Sequence, residues 1–387
     1  MRSADTTLTE RHRELRRRVR KVAETTIAEH AAAVDAAGEF PIDAHKALVA
    51  EGLHATHIPA EYGGPGLDTL SSCLVVEEVA RVCAASSLTP NVTRLATLPL
   101  LLAGSEEHRR RYLPEVARDG VIFAFALSEP DAGSDAAAIS TTARRDGGHF
   151  VLDGVKRWIT NAGVADYYLV AAVTDASKGS AGISLFVVHA DAEGLSFGPD
   201  EDKLGMRGSP TRAVHFAQVR VPEDRLVGAE GAGLDLALRA LDHSRITIAA
   251  QAVGIAQGAL DHAREHIRTR HQFGRAIADF QGVRFMVADM AMRLEAARQL
   301  TYAAAARADV ESADLRFFSA AAKCFASDVA MAITVDAVQL LGGHGYTRNS
   351  PVERMLRDAK VTQIYEGSNE IQRVVVARQV LAGEGID

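Results

Sequence analysis

Near the C-terminus, Gln363-Ile364-Tyr365-Glu366-Gly367-Ser368-Asn369-Glu370-Ile371-Gln372-Arg373 sets one carboxylate, Glu366, between a tyrosine and a glycine. It stands outside any helical repeat. Burial against apolar surface raises the pKa of such a group toward neutrality, which suits it to proton abstraction as a general base. The same residue could instead cap the helix that begins near Ser368. Three other clusters combine polar and aromatic residues where strands and helices end. Phe125-Ala126-Leu127-Ser128-Glu129-Pro130-Asp131-Ala132-Gly133-Ser134-Asp135 runs from an apolar strand into a Gly/Ser/Asp loop. That loop could offer N–H groups and hydroxyls to a phosphate or polar ring edge, or simply end the strand. Lys156-Arg157-Trp158-Ile159-Thr160-Asn161 holds the only tryptophan. Beside Thr and Asn it could stack on a flat cofactor, though a lone Trp can equally belong to a core. Arg270-His271-Gln272-Phe273-Gly274, with Gln281, closes a long helix with a cation and an aromatic. Those residues suit a pyrophosphate and a ring, or a helix cap.

The elements that must position these residues follow from periodicity. From residue 8 to about 115 the pattern is helical, with apolar residues recurring at three and four over 68–84 and 92–103. At Val121 it changes to short strand-like runs: 121–127, 150–156, 168–174, 182–189 and 214–221. Short strands without helices between them predict a small β barrel or sandwich. From about 231 the chain is helical again. Val283, Met286, Val287, Met290, Leu294 and Ala297 form one stripe; Phe317, Ala321, Cys324, Phe325 and Val329 form another, both read as bundle core. The expected division is 1–120 helical, 121–229 β and 230–387 a helical bundle.

The bulk composition excludes several function classes. The 387 residues are 47% hydrophobic and 24% charged, as in a globular protein of two or three domains. A net charge of -7 leaves no electrostatic footprint for nucleic acid. The arginine-rich start, from Arg11 to Lys21, reads as the solvated face of a first helix, because no apolar segment follows it and Asp5, Glu10 and Glu14 interrupt it. No apolar run reaches membrane-span length, so no membrane partner is expected. Cys73, Cys83 and Cys324 form neither a disulfide framework nor a metal knuckle, and the 14 histidines show no metal spacing. A reducing, cytoplasmic setting without a metal is expected. Gly194-Leu195-Ser196-Phe197-Gly198 matches G-x-S-x-G but sits in a β region before Pro199, so it reads as a chance match. Dinucleotide, P-loop and zinc-peptidase motifs are absent from the sequence.

Taken in order, the clusters resemble the acyl-CoA dehydrogenase family of flavoproteins. The resemblance spans about residues 10–380. Besides the segments above, it rests on Lys203-Leu204-Gly205-Met206-Arg207-Gly208-Ser209 and Gln339-Leu340-Leu341-Gly342-Gly343-His344-Gly345-Tyr346. It implies an α+β multidomain fold, with an N-terminal helical domain, a middle β barrel or sandwich and a C-terminal four-helix bundle. It further implies FAD between the β domain and the bundle. Phe125, Leu127 and Ser128 match isoalloxazine contacts, and Trp158 and Thr160 match the cover on the other side. Arg270, Gln272, Phe273, Gln281, Gln339 and Gly343 match contacts made from a partner chain, while Ser368 and Glu370 match contacts within the home subunit. Ser134 matches a CoA contact, Asp242 and Arg245 flank the substrate, and Tyr365 and Gly367 flank the thioester. Glu366 matches the base that removes the α-proton while the β-hydrogen leaves as hydride, giving a trans-2-enoyl thioester. Family branches that move the base to an earlier helix would place it at Ser244, which leaves Glu366 and points to short/medium-chain or short branched-chain types. A homotetramer and an electron-transferring flavoprotein as acceptor are implied too.

One departure concerns Arg94, in Leu88-Thr89-Pro90-Asn91-Val92-Thr93-Arg94-Leu95, where small or neutral residues are common in the family. It could meet a polar acyl end, snorkel to the surface or pair with an acid. Pro90 suggests a differently bent wall. Rival readings keep the fold but change the chemistry to an oxidase or monooxygenase, place the acyl group on a carrier protein, or reduce the chain to a flavin-free acyl-binding protein.

Overall fold

The computed structural model describes residues 8–383. The chain opens with α1 (Glu10–Val22), α2 (Ala28–Ala37), α3 (Ile42–Ala50), α4 (Thr69–Ala80), α5 (Ala84–Ala103) and α6 (Glu106–Pro114). α4 starts at the Asp68 cap, whose Oδ1 accepts the Ser71 N–H at 2.8 Å. All of its residues are buried, including Glu77 and Glu78. Carboxylates so placed need partners. Arg16 of α1 reaches Glu77 at 2.7 Å and Glu78 at 2.6 Å, and Arg298 reaches Glu77 at 3.0 Å. Arg20 adds a second contact to Glu78 at 2.7 Å. The arginine run is therefore only partly the solvated face expected: Arg16 and Arg20 turn inward to neutralise α4. α5 begins earlier than its apolar repeat suggested and continues through Pro90 and Pro99.

The middle region is one sheet of eight strands: β1 (Phe123–Ala126), β2 (Thr142–Asp146), β3 (His149–Thr160), β4 (Tyr167–Val173), β5 (Ile183–His189), β6 (Leu195–Phe197), β7 (Thr211–Pro222) and β8 (Leu226–Val227). The order is β6-β7-β3-β2-β4-β5-β8, with β1 added parallel to β4. Alternate residues face opposite ways. Leu169, Ala171, Leu185 and Val187 pack against Leu100, Tyr112 and Leu113 of the helices. Tyr168, Val170, Phe186 and Val188 join Phe150, Val214 and Phe216 in the sheet's other core. The G-x-S-x-G stretch lies on β6, paired antiparallel with β7, where no helix follows to make a nucleophile elbow.

The C-terminal region is α7 (Gly233–Thr269), α8 (Gln281–Asp309), α9 (Leu315–Leu341), α10 (Pro351–Thr362) and α11 (Asn369–Leu381). A short hairpin, β9 (His271–Gln272) with β10 (Arg275–Ala276), joins α7 to α8. α7 is the axis of the molecule, packed on α4, α5, α8, α9 and α10. Its approach to α4 depends on two glycines: a Cβ at Gly254 would lie 2.3 Å from the Glu77 carbonyl oxygen, and one at Gly258 2.1 Å from that of Arg81. Of the expected Phe317–Val329 stripe on α9, Val329 is in the core but Phe317 and Ala321 are only partly buried. Ser319, Ala320, Ala322, Lys323, Ala326, Ser327, Ala330 and Ile333 are buried, whereas Phe325 is exposed and Cys324 only half-buried. Small residues let helices come close, and the larger ones are left on the outer half. Contrary to the sequence expectation, Leu315–His344 is long and apolar enough to cross a membrane by length and composition, but 56% of its apolar window is buried inside the protein.

β3 ties the sheet to the loop after β1. Lys156, fully buried, pairs with Glu129 at 2.7 Å and donates to the Leu127 carbonyl at 3.0 Å. Glu129 also accepts from the backbone N–H groups of Ser140 and Thr141. Burial alone would push the Glu129 carboxyl up, but Lys156 and these donors hold it down at about 2. Removing one partner leaves an uncompensated buried charge. Lys156→Met should cost about 3–5 kcal/mol of unfolding free energy, measured by urea denaturation at pH 7.

Candidate active site

Glu366 lies in the turn between α10 and α11, in the left-handed region at φ 52. Gly367 follows at φ 90, and a Cβ there would meet the Gln372 amide nitrogen at 2.4 Å. The turn is held by its main chain. Gln372 Nε2 donates to the carbonyls of Glu366 (3.1 Å) and Gly367 (3.0 Å). Lys323 Nζ donates to Gly367 O at 2.8 Å and to Asn369 Oδ1 at 3.0 Å. Arg245 Nε reaches the Glu366 carbonyl at 3.4 Å. Glu366 is not a helix cap: Ser368 is the N-cap of α11 and accepts from Ile371 N at 3.5 Å.

One oxygen of the side chain is left without a partner. Glu366 Oε2 is sealed from solvent and accepts no hydrogen bond, and the buried Ser244 Oγ beside it makes none either. Burial raises the Glu366 pKa to about 7, against the opposing influence of Ser244, Arg245, Lys323 and Arg94. Among the described residues no acceptor lies within reach of the Glu366 backbone N–H. A base near neutrality and a free N–H donor thus stand on one residue.

Arg245 does not pair with that carboxylate. Its Nη1 is taken by Asp242 at 2.5 Å, one helical turn away, and Asp242 also holds Arg316 at 3.0 Å. Tyr365 donates its hydroxyl to Gln251 on α7. Asp242, Arg245, Tyr365, Glu366 and Gly367 are therefore brought together between α7 and α9. Sequence reasoning missed Lys323, Gln251 and Gln372. Lys323 read as one more residue of a helix, and only its position in an Ala/Ser-rich face could have flagged it.

A second group forms at the sheet. Ser128 O accepts the Arg157 N–H at 2.9 Å, which sets Phe125, Leu127 and Ser128 beside Trp158 and Thr160. The β3–β7 register slips between Lys156 and Ile159, and Trp158 takes φ 62 with its indole 55% exposed. The Arg157 guanidinium lies 4.5 Å from the indole ring. A third group is at the far end of α7. The β9–β10 hairpin carries Arg270, Gln272 and Phe273, the last 93% exposed at φ 53. His266 and His344, with ring centroids 5.7 Å apart, bring the Gly342–His344 turn to the same end. Gln281 and Gln339 are exposed, and a Cβ at Gly343 would meet nothing. This group does not converge on Glu366 within the chain. Ser134 and Glu370 are also exposed.

Three sequence domains match the chain: acyl-CoA dehydrogenase N-terminal domain over 9–119, middle domain over 124–219 and C-terminal domain over 231–381. The chain belongs to the acyl-CoA dehydrogenase family. It is 56% identical over 374 residues to the "Probable acyl-CoA dehydrogenase fadE25" of Mycobacterium leprae, covering 97% of this chain and 96% of that protein. It is similar to butyryl-CoA dehydrogenase from Megasphaera elsdenii, with TM-score 0.94, 38% identity and coverage of 97% and 99%. A chain of the structure described as the electron transferring flavoprotein of Acidaminococcus fermentans gives TM-score 0.95, 42% identity and coverage of 97% and 98%. The acyl-CoA dehydrogenase reaction, FAD-dependent dehydrogenation of an acyl-CoA, is the activity of this chain, and FAD is its cofactor. The exposed faces of Trp158 and Phe273, held in backbone that side chains rarely adopt, fit a flat cofactor better than solvent.

The Glu366 shift carries a stability consequence. Its folded-state value, about 7, lies above the ordinary 4.5, so the folded chain keeps the proton between those values. Stability therefore falls as pH rises through that window, by roughly 3 kcal/mol in all. Glu366→Gln should be more stable than the parent at pH 8, with the difference closing by pH 5, measured by urea denaturation at both values.

Proposed function

We propose that Glu366 is the base that removes the α-proton of the acyl thioester. The observation that carries this is a sealed, unpartnered carboxylate oxygen on a residue whose pKa is raised to about 7. At that value the group is substantially deprotonated at neutral pH yet basic enough to accept a proton in the transition state. The α-hydrogen is a weak acid until its carbonyl is polarised, and the unengaged Glu366 N–H supports a role as one donor to the developing enolate oxygen. FAD, when bound, supplies the acceptor for the hydride that leaves the β-carbon. The substrate thus loses a proton to Glu366 and a hydride to the cofactor, and becomes a trans-2-enoyl thioester.

The remaining residues take supporting roles in this reading. Gln372 and Arg245 bond the Glu366 carbonyl and Lys323 that of Gly367, which holds the carboxylate and the N–H in register. Phe125, Leu127, Ser128, Trp158 and Thr160 would receive the isoalloxazine, while Ser368 and Glu370 would meet the cofactor from the home subunit and Ser134 would meet the CoA arm. Arg270, Gln272, Phe273, Gln281, Gln339 and Gly343 would serve a neighbouring subunit's FAD. Their exposure at the far end of α7, together with exposed Phe285 and Met292 on α8, supports a homotetramer. The likeness to the Acidaminococcus chain supports an electron-transferring flavoprotein as acceptor. The three unpaired cysteines fit a cytoplasmic setting, and we divide the chain at 120/121 and 229/230.

Anaerobic titration of the purified protein with short acyl-CoAs should bleach the oxidised flavin absorbance. Glu366→Gln should retain flavin but slow bleaching by about 10²–10⁴-fold. For the parent, kcat/KM should rise with pH through a value near 7, as Glu366 loses its proton. Full-rate bleaching by Glu366→Gln would remove the assignment.

A further inference from the structure

Arg94 is a buried cation, felt by the charges of Asp309 and Glu366, with two of its three guanidinium nitrogens unbonded. It is 5% exposed on α5, and its Nε and Nη1 are sealed from solvent without a hydrogen-bond partner. Among the described residues no carboxylate forms an ion pair with it. It therefore neither snorkels to the surface nor pairs with an acid, the two ordinary fates for an arginine in a helix wall. A guanidinium cannot shed its proton to escape the cost of burial. A buried charge left in this state needs an acceptor that the folded chain does not provide.

Its surroundings are those of the reaction site. The Arg94 charge acts on Glu366, and it adds to the burial that keeps His57 and His243 neutral. His57 Nε2 is engaged with Thr97 at 2.8 Å, and its ring, kept neutral, offers Arg94 no counter-charge. One turn before Arg94, the buried Asn91 side chain meets Thr247 of α7 through one amide atom and leaves the other without a partner. The Thr247 hydroxyl, whose one hydrogen can serve only one acceptor, also stands 2.8 Å from the Ser244 carbonyl, beside Ser244 Oγ and Glu366 Oε2, which make no hydrogen bond. Unsatisfied buried polar atoms are uncommon, and here they gather along α5 and the facing part of α7. α5 thus presents donors, where a purely hydrocarbon tail would want apolar wall.

We infer that Arg94 receives a carboxylate at the far end of the acyl chain, so that the substrate class is a short acyl-CoA ending in an acid group. This rests on the reading of Glu366 as the base. A planar guanidinium matches a carboxylate in shape and charge. Such a substrate would cancel the buried cation, whereas a hydrocarbon tail would leave it unpaired. The same recognition bars long unbranched chains, because their tails would press against the charge.

The test compares holoenzyme turnover on matched thioesters: succinyl-CoA against 4-methylpentanoyl-CoA, and glutaryl-CoA against 5-methylhexanoyl-CoA. Within each pair an isopropyl group of the same branched shape replaces the terminal carboxylate. Flavin bleaching is followed anaerobically for the parent and for Arg94→Gln and Arg94→Lys, each checked for bound flavin. At least one carboxylate-ended member should exceed its neutral match in kcat/KM by about ten- to a hundredfold, as a charge-assisted contact implies. Arg94→Gln should abolish that ratio, and Arg94→Lys should keep part of it. A parent enzyme that bleaches faster with the neutral member of both pairs overturns the inference and leaves Glu366 untouched. The same holds if flavin-loaded Arg94→Gln keeps the parent's ratio. If no acyl-CoA bleaches the flavin, the reading of Glu366 fails, and this inference falls with it.

Discussion

A carboxylate held away from water without a hydrogen bond to its outer oxygen is unfavourable, and the rest of the site exists to impose it. Glu366 could relieve the cost by swinging out or by finding a donor. What the fold does fix is the turn that carries it: Gln372 and Arg245 bond the Glu366 carbonyl and Lys323 bonds that of Gly367. The Arg245 charge that might have paired with it is engaged by Asp242. Local backbone strain at φ 52 adds to the burden and is borne by those same contacts. The raised pKa follows from this geometry, and the chemistry follows from the pKa.

The electrostatics of the fold use one closed arrangement twice and leave it open once. Glu77 and Glu78 are buried in α4 and neutralised by arginines from α1 and α8. Glu129 is buried behind the β1 loop and neutralised by Lys156. Both sets are closed, with each charge answered inside the chain, and both join segments distant in sequence. Around Glu366 and Arg94 the set is open, since carboxylate and guanidinium are each left with unmade bonds. That contrast separates charges that hold the structure from charges that await a ligand.

Much of this was legible in the sequence. The α–β–α order follows from hydrophobic period, and the candidate site came from the family resemblance carried by the segments at 125–135, 156–161 and 363–373 taken in order, since each alone also reads as a turn, a core residue or a cap. What the sequence hid was geometric. The short strands β2, β6 and β8 carry too few residues for an alternation to register. The stripe through Phe317 and Phe325 misled because size was taken for burial, whereas α9 buries its alanines and serines. Lys323 and Gln372 are ordinary polar residues until the turn at 366–367 is folded against them. Arg94 was visible as a departure, but whether it was paired could be decided only with α5 and α7 in place.

That seam between α7 and α9 has a mechanical consequence. It is lined largely by methyl and hydroxymethyl groups, which carry little or no rotameric freedom, so a larger side chain there cannot be absorbed by rotation and must displace a helix. Lys323 lies on the same face of α9 and is bonded to the turn after the base. The bundle therefore works as a rigid lever. A change of one or two methylenes deep between its helices would reach the reacting carboxylate as a shift in position, and remote repacking can tune turnover without altering any residue that touches the substrate.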